Sequence, residues 1–440
     1  MTDTATFNLL DEPWILCMDS ADNRKALSIR DIFSGQGDVH KIVGDSPTQD
    51  YAVIRLLLAI FWRAHAQELA EAAGGRRKRA SFDWGEWFAE KREELCETKR
   101  DQVVLDYLDA FRDRFDLLSD TVPFMQVADL HSKNMETRPI VHIVPEAADD
   151  HFTMRTAKGR QSVSFAEAAR WLVHLQAYDY SGIKTGAVGD PRVKGGKGYP
   201  IGTGWTGRTG GTLVLGTEGL LETLLLNTPM SAVMTEQGTN PIELDEPVWE
   251  REPDTAAQRR GSDDKLGAVP QGAADLATWQ ARRVCLVAEE GQITRVLVSN
   301  GDRIPDAGKN VMGDPMTPYR YSPNQSKAGQ DAYYARPYDS TQTMWRALDA
   351  LVAVEDDPGF DQKKAKAPKR PANLSNLAAL DVDGYLNQGA FDIALVSMEY
   401  GPQESSVATT FSTTIGLPLV VLREDDLGRQ ARNAARTAAQ

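Results

Sequence analysis

The chain has 440 residues, 63 acidic against 49 basic side chains and a formal net charge of −14, with 41% hydrophobic and 25% charged residues. That is the composition of a soluble globular protein of two or three domains, and its acidity argues against a protein that coats nucleic acid unaided, since sequence-independent affinity comes from Lys and Arg neutralising phosphates. No apolar run approaches the roughly 18 residues of a membrane span, the start MTDTATFNLLDEPWILCM lacks the basic and apolar regions of a signal peptide, and Cys17, Cys96 and Cys285 are too scattered for a disulfide framework or a cysteine zinc site; the expected location is the cytoplasm, with no membrane contact.

The first 45 residues read as short strands and turns, FNLLDEPWILCM being apolar enough to pair in a sheet. From Thr48 onward, Ile54, Leu57, Leu58, Phe61, Trp62 and Leu69 recur at helical spacing and predict a long helix. Two more exposed helices are expected over 85–97 and 101–117, with the run Arg76, Arg77, Lys78 and Arg79 in a solvated loop before them. Residues 125–163 lack periodicity and read as a long surface loop. Ser164 and Glu167 then form an S-x-x-E capping box for a helix with Phe165, Ala168, Trp171, Leu172 and Leu175 on one face.

This helix runs into a stretch unlike its surroundings. Between Gly182 and Gly211 lie eleven glycines, the five cations Lys184, Arg192, Lys194, Lys197 and Arg208, and a single acid, Asp190, a local net charge of +4. Such asymmetry in an acidic chain marks an anion site. A short strand and a helix follow in GGTLVLGTEGLLETLLLN, then a polar excursion over 233–275, a hairpin in ARRVCLVAEEGQITRVLVSNGDR, a basic connector with Lys363, Lys364, Lys366, Lys369 and Arg370, and a strand that stops at Gly401 and Pro402. The terminal stretch, with Leu427, Ala431, Ala434 and Ala438 as a thin apolar stripe, predicts one solvent-facing helix.

Catalytic readings find little support. GTGWTG within the glycine stretch matches G-x-G-x-x-G, yet it lacks the preceding strand and the following helix that a dinucleotide site needs, and Gly196-Lys197 is followed by Gly198 rather than the Ser or Thr of a phosphate-binding P-loop. The six histidines make no metal motif; Asp149, Asp150 and His151 read as surface polarity and His174 as a helix residue at the core boundary. No nucleophile elbow or activated cysteine is recognisable, so no enzyme, cofactor or metal is expected.

Three stretches together, FNLLDEPWI near the start, VPFMQV at Val122 to Val127, and the Ala-rich helix passing through SGIKTG into a glycine loop that ends RTGG, resemble the large subunit of the type I-E CRISPR surveillance complex Cascade, the CasA family. The resemblance covers most of the chain. It implies a mixed α/β fold: a large N-terminal α+β domain, over 1–412 here, followed by a C-terminal helical bundle, of which 413–440 would be only the start. It implies a non-catalytic subunit that recognises the protospacer-adjacent motif in double-stranded DNA, starts strand opening for the guide RNA and docks a separate nuclease-helicase, its partners being the other Cascade subunits and the guide RNA.

Carried onto this sequence, the resemblance implies minor-groove reading by a glycine loop containing Gly198, Gly202 and Gly204, and a wedge hairpin with Gly401, Pro402, Gln403 and Glu404. It also implies a basic side chain at the groove, matched by Arg303, and a loop near the guide RNA around Phe152, Thr153, Met154 and Arg155. Physical chemistry agrees: the minor groove is narrow and chemically degenerate, so its readers need backbone that approaches closely and long cations. Glycine permits that approach because no Cβ intervenes. The remaining alternative is a scaffold subunit whose basic loops bind guide RNA or partner proteins without reading a motif.

Overall fold

The structure, a computed structural model, describes residues 6–72, 82–145, 161–234, 244–259, 268–305, 313–327, 330–338, 348–353, 366–386 and 388–438. It opens with a small antiparallel sheet in the order β2-β1-β3, built from β1 (Ile15–Asp19), β2 (Arg24–Leu27) and β3 (Val39–Ile42). Helix α1 (Ile29–Phe33) begins in a reciprocal cap: Ser28 Oγ accepts from the Asp31 N–H, and Asp31 accepts from the Ser28 N–H, both at 3.0 Å.

Helix α2 (Pro47–Ala72) is the axle of the molecule. Every side chain from Tyr51 to Trp62 is buried, the mark of a helix enclosed on all sides rather than laid on a surface. Helices α3 (Trp84–Thr98) and α4 (Gln102–Ala110) start at Asp83 and Asp101, whose carboxylates accept the N–H groups that a helix start leaves unpaired. Helix α5 (Phe165–Tyr178) starts at Ser164, which accepts from the Glu167 N–H as its S-x-x-E pattern predicts. It packs along α2, where Thr48 Oγ1 lies 3.1 Å from His174 Nε2. His174 is indeed core, and burial pushes its pKa down to about 3.

Two further three-stranded sheets combine strands from both halves of the chain. One has the order β4-β9-β8, from β4 (Arg138–Pro139), β8 (Arg282–Glu289) and β9 (Gln292–Asn300), the last two forming the expected hairpin. The other has the order β13-β12-β7: β7 (Gly211–Leu215) and β13 (Val407–Pro418) flank β12 (Ala390–Tyr400), with Ile393 facing Val214 on one side and Ile415 on the other. Minor pairs join β5 (Lys184–Thr185) to β6 (Lys197–Gly198) and β10 (Tyr319–Tyr321) to β11 (Tyr333–Ala335). Helices α6 (Leu220–Leu226), α7 (Ala372–Val382) and α8 (Asp425–Ala438) are joined by shorter helical turns such as Met230–Val233 and Ala273–Ala277. The fold is mixed α/β, as expected, and no helix of the described residues is long and apolar enough to cross a membrane.

Three expectations need correction. The stretch 125–163 is not simply a surface loop: Met125, Val127, Leu130, Ile140, Ile143, Val144 and Val163 are all buried, and β4 pairs with β9. The stretch 233–275 is not a linker throughout, because Trp249 is buried with its Nε1 donating to Tyr107 Oη at 2.6 Å, and buried Asp245 accepts from the N–H groups of Ala274 and Asp275. The described parts of both segments send single residues and very short elements into the core, which leaves no periodic signature. Finally, a boundary between 412 and 413 falls inside β13, whose pairing with β12 continues to Pro418.

Candidate nucleic-acid interface

The glycine stretch divides into an anchored arm and an open arm. Residues 204–206 fold back onto the end of α5: the N–H groups of Gly204, Trp205 and Thr206 donate to the carbonyls of Asp179, Gln176 and Ala177 at 2.8, 3.1 and 3.1 Å. Contact here is close enough that a Cβ on Gly204 would lie 2.4 Å from the Ala177 carbonyl. Glycine at 204 is therefore required by helix packing. Trp205, 4% exposed, seals the arm against the guanidinium of Arg55, which sits 4.7 Å from its ring centroid and is itself ion-paired to Asp314 at 3.1 Å. The cation keeps its charge in the interior because it faces both a carboxylate and aromatic rings.

Gly202 behaves differently. Its φ is +115°, nothing lies within 4 Å of where a Cβ would be, and its carbonyl accepts from Arg282 Nη2 at 2.8 Å. That same guanidinium donates to the Tyr180 carbonyl at 3.0 Å and to Asp179 Oδ2 at 2.5 Å, and Lys184 Nζ reaches the same oxygen at 2.6 Å. Burial pushes the Asp179 carboxyl up, but Lys184 and Arg282 outweigh it and hold its pKa below the ordinary value. One buried carboxylate thus ties together the helix end, β5, β8 and the open backbone of the loop. Gly198 belongs to β6 and is buried, with its nearest neighbour the Asn300 side chain, whose Nδ2 donates to the Tyr199 carbonyl at 2.6 Å. Of the three expected glycines, Gly202 is the one with unobstructed backbone.

The hairpin tip adjoins this loop. Tyr400, the last residue of β12, donates from Oη to the Tyr178 carbonyl at 2.8 Å, and Arg208 Nη2 meets Glu404 Oε2 at 2.5 Å. Gly401 donates its N–H to the Ser406 carbonyl at 2.9 Å, which closes the turn. Within it Gln403 and Glu404 both adopt the left-handed region, φ 57° and 56°, and Gln403 is exposed with Pro402 beside it. Backbone strain of this kind, of order 1–3 kcal/mol per residue, persists where surrounding structure enforces it and concentrates at working sites.

Arg303 lies exposed three residues beyond the end of β9, its carbonyl accepting from the Ala268 N–H at 2.8 Å. Because Asn300, the last residue of β9, holds Tyr199, the strand from which the chain runs on to Arg303 is attached to the glycine loop. Phe152, Thr153, Met154 and Arg155 lie outside the described residues, as do the Arg76–Arg79 run, Asp149 to His151, and Lys363 and Lys364. Sequence reasoning missed Asp179, Arg282, Arg208 as a bridge, and Tyr199. Only the density of charge around the glycines pointed toward them. Among the described residues no group of His, Cys, Asp and Glu is arranged to hold a metal ion.

Comparison with known proteins agrees with this geometry. The family model for CRISPR-associated protein Cse1 matches residues 8–440. CRISPR-associated protein CasA/Cse1 of Thermus thermophilus is 30% identical over 289 residues, which are 64% of this chain and 49% of that protein, so the chain spans about half the length of this curated relative. Among solved structures, Thermobifida fusca Cse1 superimposes with a TM-score of 0.81 at 37% identity, covering 99% of this chain and 78% of that one. Cse1 from Acidimicrobium ferrooxidans gives 0.75 at 27%, covering 99% and 75%. A chain of a CRISPR RNA-guided surveillance complex shares the fold with a TM-score of 0.69 at 19% identity, covering 98% and 80%. With the family model spanning nearly the whole sequence, the chain belongs to the CRISPR-associated Cse1 family.

Proposed function

We propose that the chain is the large, non-catalytic subunit of a type I-E RNA-guided surveillance complex, and that it reads the protospacer-adjacent motif from the minor groove and opens the duplex beside it. The observation that carries this reading is the joining of the glycine loop to the hairpin tip by Arg208 and Glu404, 196 residues apart in sequence. Gly202 offers backbone that a narrow groove admits, and Gln403 stands exposed on a turn closed by backbone hydrogen bonding. A wedge that unstacks a base step costs a few kcal/mol, offset by the contacts that opened DNA permits. By analogy with Cas9, exchange of duplex for guide pairing is nearly balanced, so small protein contributions decide it. Arg303 supplies a cation to the groove, Gly401, Pro402 and Glu404 shape the wedge, and the other subunits, the guide RNA and a nuclease-helicase are the partners.

The test is a gel shift of the surveillance complex assembled with and without this subunit, on target DNA with a permissive or a scrambled flanking motif. The subunit is expected to raise affinity on the permissive DNA alone. An equal rise on both DNAs would make it a scaffold that does not read the motif.

A further inference from the structure

A cleft of about 510 Å³ opens between the 132–142 segment and the outer arm of the glycine loop. It is a built feature: Ser132 bridges to Ala187, the Val188 N–H donates to the His131 carbonyl at 2.9 Å, and β4 holds Arg138 against β9. Its floor is the ion-paired Lys184 and the Tyr180 ring, 4.0 Å from that ammonium. Lys133, Arg138 and Lys197 line the cleft and Lys194 adjoins it beside Gly195; all four are exposed, and none makes an ion pair with a described residue. Glu136 is the one acid lining the cleft.

The turn Lys194-Gly195-Gly196-Lys197 adds backbone to this charge. Lys194 and Lys197 exchange both of their N–H to carbonyl bonds at 3.1 Å, and the glycines between them take φ +58° and +74°, the two successive positive values of a tight hairpin turn. Their own N–H groups have no partner among the described residues. Successive free amides in a turn form an anion-binding concavity, here flanked by a lysine on each side. Ile183, in the cleft lining, is 58% exposed; Met135, between the lining residues Asn134 and Glu136, is 72% exposed at φ 54°, and Tyr199, two residues after Lys197, is 54% exposed, so apolar and planar groups accompany the cations. Phosphate contacts combined with exposed stacking surface are the means by which proteins hold a nucleic-acid strand.

We infer that this cleft is a second nucleic-acid site, distinct from Gly202 and Gln403, which grips the phosphate backbone without reading bases. The choice of nucleic acid over other polyanions rests on the function proposed above; the geometry of the anion site does not. The full chain is titrated into a fluorescent 30-base-pair DNA, with permissive or scrambled motif, and into a 20-nucleotide single-stranded RNA, each at several salt concentrations. A variant carrying Lys133→Ala, Lys194→Ala and Lys197→Ala is compared with one carrying Lys41→Ala, Arg100→Ala and Lys327→Ala, which removes the same charge elsewhere. The cleft variant is expected to lower the salt slope by roughly two to three units on whichever nucleic acid occupies the cleft, at about 0.9 per contact for duplex and about 0.7 for a single strand.

On DNA that loss is expected to be equal for the two motifs, since phosphate contacts carry no sequence information. Acetylation of Lys133, Lys194 and Lys197 is expected to slow when that nucleic acid is bound. Equal losses for the two variants on every probe, or acetylation at unchanged rates, would overturn the inference. Motif discrimination is read separately in the gel shift of the assembled complex, so its absence there would refute the proposed function while leaving the cleft result standing.

Discussion

Among single residues, glycines that look equivalent in the sequence do different work. Gly204 lies under the end of α5, and a methyl group there would meet the Ala177 backbone, which cannot rotate away as a side chain can. Gly204→Ala is therefore expected to cost about 1–3 kcal/mol, the range for overpacking, measured by urea unfolding. An unchanged unfolding midpoint would show that the arm shifts freely. Gly202 has open space but a φ of +115°, so its demand comes from the backbone alone. No local pattern distinguished the two, because the difference lies in an approach to α5 that only the fold creates. The same holds for Arg282, which reaches Asp179 across 103 residues of sequence.

At the scale of elements, the long helix α2 is clamped to its neighbours by an ionic cluster. His65 is fully buried, with Nδ1 2.7 Å from Glu68 and Nε2 2.9 Å from Asp101 at the start of α4, while Lys91 on α3 lies 3.7 Å from Glu68. Burial works against a charged imidazole, but Asp101 and Glu68 outweigh it and raise its pKa. The Glu68 and Asp101 carboxyls are burdened by burial too, yet His65 brings both below their ordinary values.

The signs set a window. A raised histidine stabilises fully below its unfolded pKa of 6.5 and loses that contribution as pH rises through the folded value. The lowered carboxyls stabilise above unfolded values of 4.5 and 3.8 and lose it as pH falls. The advantage of wild type over His65→Gln in melting temperature is thus expected to peak between about pH 4.5 and 6.5 and to shrink toward pH 9. A gap that stays constant from pH 5 to pH 9 would mean that folding leaves the imidazole pKa where it is in the unfolded chain.

Elements with a strong internal period were readable: α2, α5, the β8–β9 hairpin and β12 all stand where their hydrophobic spacing predicted. Segments that contribute one buried side chain at a time were not. Trp249 sits in a polar, acidic stretch and is 1% exposed because Tyr107 and the nearby core await it, which is a tertiary fact.

For the whole molecule, the charge distribution separates two roles. The chain has net charge −14 while its glycine stretch carries +4, so that stretch concentrates attraction for polyanions in a chain that repels them on balance. The hairpin and the loop were each visible in the sequence. Their meeting was not, since the Arg208–Glu404 pair and the Tyr400 hydrogen bond to Tyr178 join distant segments. That pair is 43% and 31% exposed, so its contribution to stability is small, in the range of about 0–1 kcal/mol. What it does is fix where the exposed Gln403 stands relative to the open backbone at Gly202.

The most direct measurement of the central claim is the fluorescence of 2-aminopurine placed beside the motif in target DNA, followed as the assembled complex binds. The wedge account predicts that the probe brightens as its base unstacks with wild-type protein, and stays quenched with Gln403→Ala although the DNA remains bound. Equal brightening with the variant would contradict the account and assign strand opening to another part of the complex.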